Sequence, residues 1–180
     1  FVYMSRNAGG PIPVDTDTAH FSESLRYQDE VNIHYPAIST FKGNEAFAVG
    51  VGLEVIKPNS EQHHDLRSVI DDFTGWEVST GIHLQYTAHY TLKDIDLIAS
   101  DGSSGGGVWR GIEYGPAAVN MVINGANIEG FPIGVHLLRD ETGMNHPFDG
   151  NWGYAFIDVN VVGATTGIYN LQAQDKILTQ

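Results

Sequence analysis

Cysteine is absent from this 180-residue chain. Its absence excludes disulfide staples, thiolate zinc sites and a cysteine nucleophile, and leaves the compartment open. Positive charge is scarce: 9 Lys and Arg stand against 22 Asp and Glu, a formal net charge of −13. A nucleic-acid surface needs clustered cations, so nucleic acid is not expected as a partner. No apolar run approaches the ~20 residues of a membrane-spanning helix, and membrane insertion is not expected. Long apolar stripes of helical period are also missing. Charged residues make up only 17% and apolar residues 42%, which is not the make-up of a disordered acidic tail. The length suits one domain with a sizeable core. The chain opens on Phe1, with neither Met nor a signal-peptide pattern, and is read as a processed part or fragment of a longer one.

Glycine, in contrast, is plentiful at 21 residues, beside many Val, Ile, Thr and Tyr. That mixture favours short strands and tight turns. Five segments share a shape. They start at Phe41, Ile70, Lys93, Ile123 and Ile157, and each reaches a Gly-apolar-X strand at Gly52, Gly81, Gly111, Gly134 and Gly167. From the starting residue to the apolar residue after Gly the spacing is 12, 12, 19, 12 and 11. The long third spacing contains a Ser/Gly insertion, Ser100 to Gly107. The starts step by 29, 23, 30 and 34 residues, as expected for stacked coils with loops inserted at their corners.

A unit this short cannot bury its own apolar face, whereas stacked copies share a continuous core. The expected fold is therefore all-β, a parallel β-helix (solenoid) of about five to six coils with long corner loops. An antiparallel sandwich is the alternative, but it does not account for the matched spacing. One domain is expected over 1–180: an irregular or partial first coil at 1–37, repeats at 38–171 and a tail at 172–180. Phe1 to Met4 is read as a strand of an earlier coil, and Leu171 to Gln180 as either a short helix or a further strand.

Val122-Ile123-Asn124-Gly125-Ala126-Asn127-Ile128-Glu129-Gly130, followed by Ile133-Gly134-Val135, resembles a coil of the right-handed parallel β-helix proteins of the pectate-lyase-like superfamily. Ser68 to Trp76 and Tyr90 to Leu97 resemble large extracellular β-helix proteins, some of which, including the cell-migration-inducing hyaluronidase group, act on polysaccharides. The resemblance implies the hand of the coil, an extracellular or secreted location and a polysaccharide partner. It carries over no catalytic residue.

Alternation within the Gly-apolar-X strand turns Leu53, Ile82, Ile112, Val135 and Ile168 inward. Glu54, His83, Glu113, His136 and Tyr169 then stand outside as one ladder, with equivalent residues about 4.7–4.9 Å apart. Adjacent carboxylates and imidazoles adjust each other's proton affinity and can move protons near neutral pH. They could also converge on a zinc-like ion, or simply form a solvated polar face. Three long insertions flank this strand: 57–65, the Ser/Gly stretch that delivers Trp109 and Arg110, and 139–150. Loops of that length are often functional. Tyr86, Trp109, Trp152 and Tyr169 offer flat faces for sugar rings. Arg110, Arg139 and Lys57 supply the local cations. The adjacent His63 and His64 would ligate one metal together only in an irregular loop.

A second row, Lys42, Asp71, Asp94, Asn124 and Asp158, is read as turn-stabilising Asx chemistry. The expected function is polysaccharide cleavage or binding. As a lyase or glycoside hydrolase its catalytic candidates are His83, His136, Glu113, Tyr169 and Arg110, and its binding candidates are Glu54, Tyr86, Trp109, Arg139 and Trp152. A non-catalytic segment of a large surface or adhesin-type protein is the alternative. The acidic charge calls for a neutral ligand, or for Ca²⁺ bridging an anionic one.

Overall fold

The computed structural model describes residues 1–4, 12–13, 30–31, 38, 40–56, 67–101, 107–116, 118–137, 153–170 and 176–179. All regular structure among them is strand: β1 (Val2–Met4), β2 (Ile12–Pro13), β3 (Glu30–Val31), β4 (Phe41–Phe47), β5 (Val51–Ile56), β6 (Ser68–Val78), β7 (Thr80–Gln85), β8 (Tyr90–Ala99), β9 (Arg110–Tyr114), β10 (Met121–Glu129), β11 (Ile133–Leu137), β12 (Gly153–Val162), β13 (Thr166–Asn170) and β14 (Lys176–Thr179). No helix among the described residues is long and apolar enough to cross a membrane.

The strands alternate between two six-stranded sheets, in the orders β1-β5-β7-β9-β11-β13 and β4-β6-β8-β10-β12-β14. Every pairing within them is parallel. The only antiparallel pair described is the two-residue β2–β3. The protein is a parallel β-solenoid rather than a sandwich. Each of the five sequence repeats sends one long strand to the second sheet and one Gly-apolar-X strand to the first. The opening residues form β1 beside β5, and the tail segment forms β14 beside β12, so of its two readings the strand is the right one.

The interior is filled by stacked files. Leu53, Ile82, Ile112 and Val135 form one, and Val55, Leu84, Tyr114 and Leu137 the next, all fully buried or nearly so. Phe41, Ile70, Leu92, Ile123 and Phe156 face them from the other sheet. Each buried aliphatic side chain contributes roughly 1.5–3 kcal/mol by leaving water. Ile168 continues the first file but is partly exposed, because β13 is the last described strand of its sheet.

Gly52, Gly81, Gly111, Gly134 and Gly167 stack in one file on neighbouring strands of the first sheet. A Cβ on any of the first four would sit 2.6–2.7 Å from the carbonyl oxygen of the next glycine in the file. That close approach is why each coil repeats a glycine before its inward apolar residue.

The long strands bend once in mid-course. Gly43, Asp72, Asp94, Gly125 and Asp158 share this corner, with φ values of 63°, 54°, 51°, 79° and 52°. The expected row of Lys42, Asp71, Asp94, Asn124 and Asp158 is thereby corrected. The paired row is Lys42, Asp71, Lys93, Asn124 and Ile157, and Asp94 and Asp158 belong to the bend beside it. Asp and Gly tolerate the left-handed conformation better than other residues, so the bend, and not a strand end, selects them. Lys42 and Lys93 each reach the Asp71 carboxylate at 3.0 Å, and Lys93 also reaches Asp94 at 2.8 Å. The two ammonium groups hold the Asp71 carboxyl below the usual range, by hydrogen bonds first.

Candidate functional site

In β5 and β9 the glycine and the residue after it are both buried, so the residue before the glycine returns to the outside with X. The strand register then puts Glu54 beside His83, His83 beside Glu113, Glu113 beside His136 and His136 beside Tyr169. Residues 115 positions apart in sequence thus form one straight outer file.

The file contains two ionic groups. In the first, His83 Nδ1 lies 3.1 Å from Glu54 Oε1. A carboxylate only accepts, so Nδ1–H donates, and in the neutral form of the ring Nε2 carries the lone pair. The imidazole is seated over Gly115, where a Cβ would meet His83 Nε2 at 2.9 Å. In the second group, Arg110 donates to Glu113 Oε2 at 3.1 Å, and Glu113 Oε1 lies 3.8 Å from His136 Nδ1. Arg110 reaches Glu113 from three residues earlier on β9 because Gly111 and Ile112 are both turned inward.

Tyr169 closes the file at its far end. Its ring stacks on His136 with centroids 5.3 Å apart and planes at 23°. His136 is left only 3% exposed, and neither ring nitrogen has a hydrogen-bond partner among the described residues. Burial first, and the Arg110 charge second, lower its proton affinity against the opposing pull of Glu113. His136 is therefore a neutral imidazole at pH 7, while Tyr169 and the Glu54–His83 pair meet solvent.

The chain matches no family model, no curated protein and no solved structure.

Of the residues proposed from the sequence, Glu54, His83, Glu113, His136 and Tyr169 share the file, and Arg110 joins it through Glu113. Trp109 is strongly exposed and immediately precedes β9, its backbone N–H donating to the Ser79 carbonyl at 2.8 Å. Tyr86 lies beyond the end of β7 at a corner with φ 54°, its backbone N–H bound to the Pro116 carbonyl. Arg139 and Trp152, Lys57, His63 and His64, and the insertions at 57–65 and 139–150 lie outside the described residues, as does the 102–106 part of the Ser/Gly stretch. No group of three His, Asp or Glu able to hold a metal ion occurs among the described residues.

Sequence reasoning missed Gly115, against which His83 Nε2 is packed. It sits two residues after Glu113 in Ile112-Glu113-Tyr114-Gly115, outside the repeated Gly-apolar-X signature.

Proposed function

We propose that this β-solenoid is an extracellular polysaccharide-active or polysaccharide-binding protein of the pectate-lyase-like kind, with the outer file of the first sheet as its glycan groove. The supporting observation is the register itself, which aligns a Glu54–His83 pair with Arg110–Glu113 on the neighbouring strand. A glycan lying across the strands meets these groups in sequence.

Distance decides which residues share one glycosidic bond. His83 and Tyr169 are three inter-strand steps apart, about 14 Å, too far to act on the same bond. His83 and Arg110 stand on adjacent strands, and so do His136 and Tyr169. Because His136 is enclosed, the first pair is the reactive one. In the lyase version His83 Nε2 removes the proton α to a uronate carboxyl group, whose charge Arg110 holds. The electron pair forms the carbon–carbon double bond, the glycosidic oxygen leaves, and solvent protonates it. Tyr169 and Trp109 supply flat faces further along.

The test is incubation with a panel of neutral and acidic polysaccharides, with calcium or chelator, read by unsaturated-product absorbance and by reducing ends. Cleavage is expected in the wild type and lost by at least a hundredfold in His83→Ala, as for a missing general base. Full activity of His83→Ala overturns the mechanism.

A second reading is a non-catalytic glycan-binding segment of a larger surface protein. The mutual pairing of Glu54 with His83 and of Arg110 with Glu113, and the enclosure of His136, favour it. Glycan-array binding with no released product would select this reading.

A further inference from the structure

The second sheet carries an organised outer face that the groove does not use. Beyond the mid-strand bend, two rows run side by side across β4, β6, β8, β10 and β12. The first is Glu45, Thr74, Asp96, Asn127 and Asn160, and the second is Phe47, Trp76, Ile98, Glu129 and Val162. In the first row Asn160 donates to Asn127 at 2.9 Å and Asn127 donates to Asp96 at 3.1 Å. In the second, the Phe47 and Trp76 rings stack with centroids 3.8 Å apart, and the indole N–H is bound by Glu45. Phe47 is 52% and Trp76 36% exposed, with Ile98 and Val162 exposed further along.

We propose that this face is a second binding site, whose ligand is an uncharged linear glycan. Five strands make the strip about 19 Å long, and its rows stand two residues, about 7 Å, apart. A strip of a few hundred Å² is far below the ~800 Å² per partner of a stable protein interface, so a folded protein or second copy is a poor occupant. An extended peptide is equally ill served. It gains affinity by adding to a sheet edge, whereas β6, β8, β10 and β12 are paired on both sides, and a strand added beside β4 would run along β4 and not across the rows. The charged residues of the two rows are Glu45, Asp96 and Glu129, all acidic, which repels uronates and sulfated chains. What remains is a ligand with an apolar flank and a hydroxyl-rich edge. Pyranose rings stack on aromatic faces, and their hydroxyls suit an amide and carboxylate ladder that both donates and accepts. The ladder uses one N–H of each amide, and each amide has two. The site is independent of the groove on the first sheet.

The test uses native affinity gels cast with hydroxyethylcellulose, galactomannan or arabinoxylan, beside polygalacturonate and a Lys-rich peptide as counter-probes. Trp109→Phe with Trp152→Phe leaves Trp76 as the sole indole of the chain's 3, so its emission reports contact at this face. At least one neutral polysaccharide should retard the protein and shift that emission. Phe47→Ala with Trp76→Ala should weaken binding at least tenfold and abolish the emission shift, and Asn127→Ala should weaken binding several-fold. All three positions are at least partly exposed, and thermal melts check each fold. The proposal is overturned if no neutral polysaccharide binds or if binding survives the Phe47/Trp76 variant. Retardation by the acidic chain or the peptide alone overturns it too, as does an oligomer that dissociates in that variant. Loss of cleavage at the other file is measured separately and leaves this result standing.

Discussion

Replacing Gly111 with Ala tests the claim that the glycine file leaves no room for a side chain between its neighbouring strand and the facing core. A Cβ at Gly111 would lie 2.3 Å from Ile128 Cγ2 and 2.7 Å from the Gly134 carbonyl oxygen. Ile128 is fully buried and has little room to turn. The Gly134 carbonyl lies in the adjoining strand β11, so it yields only if β9 and β11 part. Overpacking a tight core costs typically 1–3 kcal/mol, and a backbone that must shift places this substitution near the top, about 3 kcal/mol. For a chain of this length each kcal/mol lowers the melting temperature by about 2–4 °C, which gives a fall of about 6–12 °C. Gly167 belongs to the same file, but nothing lies within 4 Å of a Cβ built there. Gly167→Ala should therefore stay within about 0.5 kcal/mol of wild type. Circular dichroism melts of both variants supply the comparison. A Gly111→Ala protein melting within 2 °C (about 0.5–1 kcal/mol) of wild type would refute the reasoning, as would an equal fall in Gly167→Ala.

Gly115→Ala should displace the His83 ring from its seat against Glu54, since the new methyl group would meet Nε2 at 2.9 Å. Nitrogen-15 shifts of the imidazole should move, with a fall in any cleavage activity larger than the fall in stability, and unchanged shifts would contradict the placement. His136 predicts a pH dependence. Its proton affinity is lowered on folding from an ordinary value of 6.5, so the unfolded chain takes up the proton first as pH falls. Its contribution is present above pH 6.5 and is lost as the pH drops below that value. His136→Phe keeps the stack on Tyr169 and should flatten that part of the melting-temperature profile, and an unaltered profile would count against the enclosure of the ring.

The outer file of Glu54, His83, Glu113, His136 and Tyr169 was legible because it depends on only two things: strand alternation and the position of a glycine. Neither is disturbed by loops of any length between coils. The opposite strands were harder to align. Leu92 and Phe156, not Lys93 and Ile157, are the residues in register with Phe41, Ile70 and Ile123. Counted from these, the spacings to the first inward file become 12, 12, 20, 12 and 12. The slip arises at the bend, where a left-handed residue breaks alternation and polar neighbours on both sides look equivalent in sequence. The enclosure of His136 was hidden for a different reason. Its Gly-apolar-His-Leu pattern matches that of His83, and what stacks on it, Tyr169, comes from the next coil 33 residues on. The Phe47–Trp76 face escaped notice because its two rings come from different coils 29 residues apart, and neither falls in the Gly-apolar-X strand.

Sequence length between coils is decoupled from their alignment. β8 and β9 are separated by 10 residues and β9 and β10 by 6, yet both sheets pass through this region in unbroken parallel pairing. The stretch between Asp101 and Gly107 is therefore a natural port for grafting. A peptide epitope or a second catalytic module spliced there would be delivered beside Trp109 and Arg110, while the neighbouring coils kept their stacking intact.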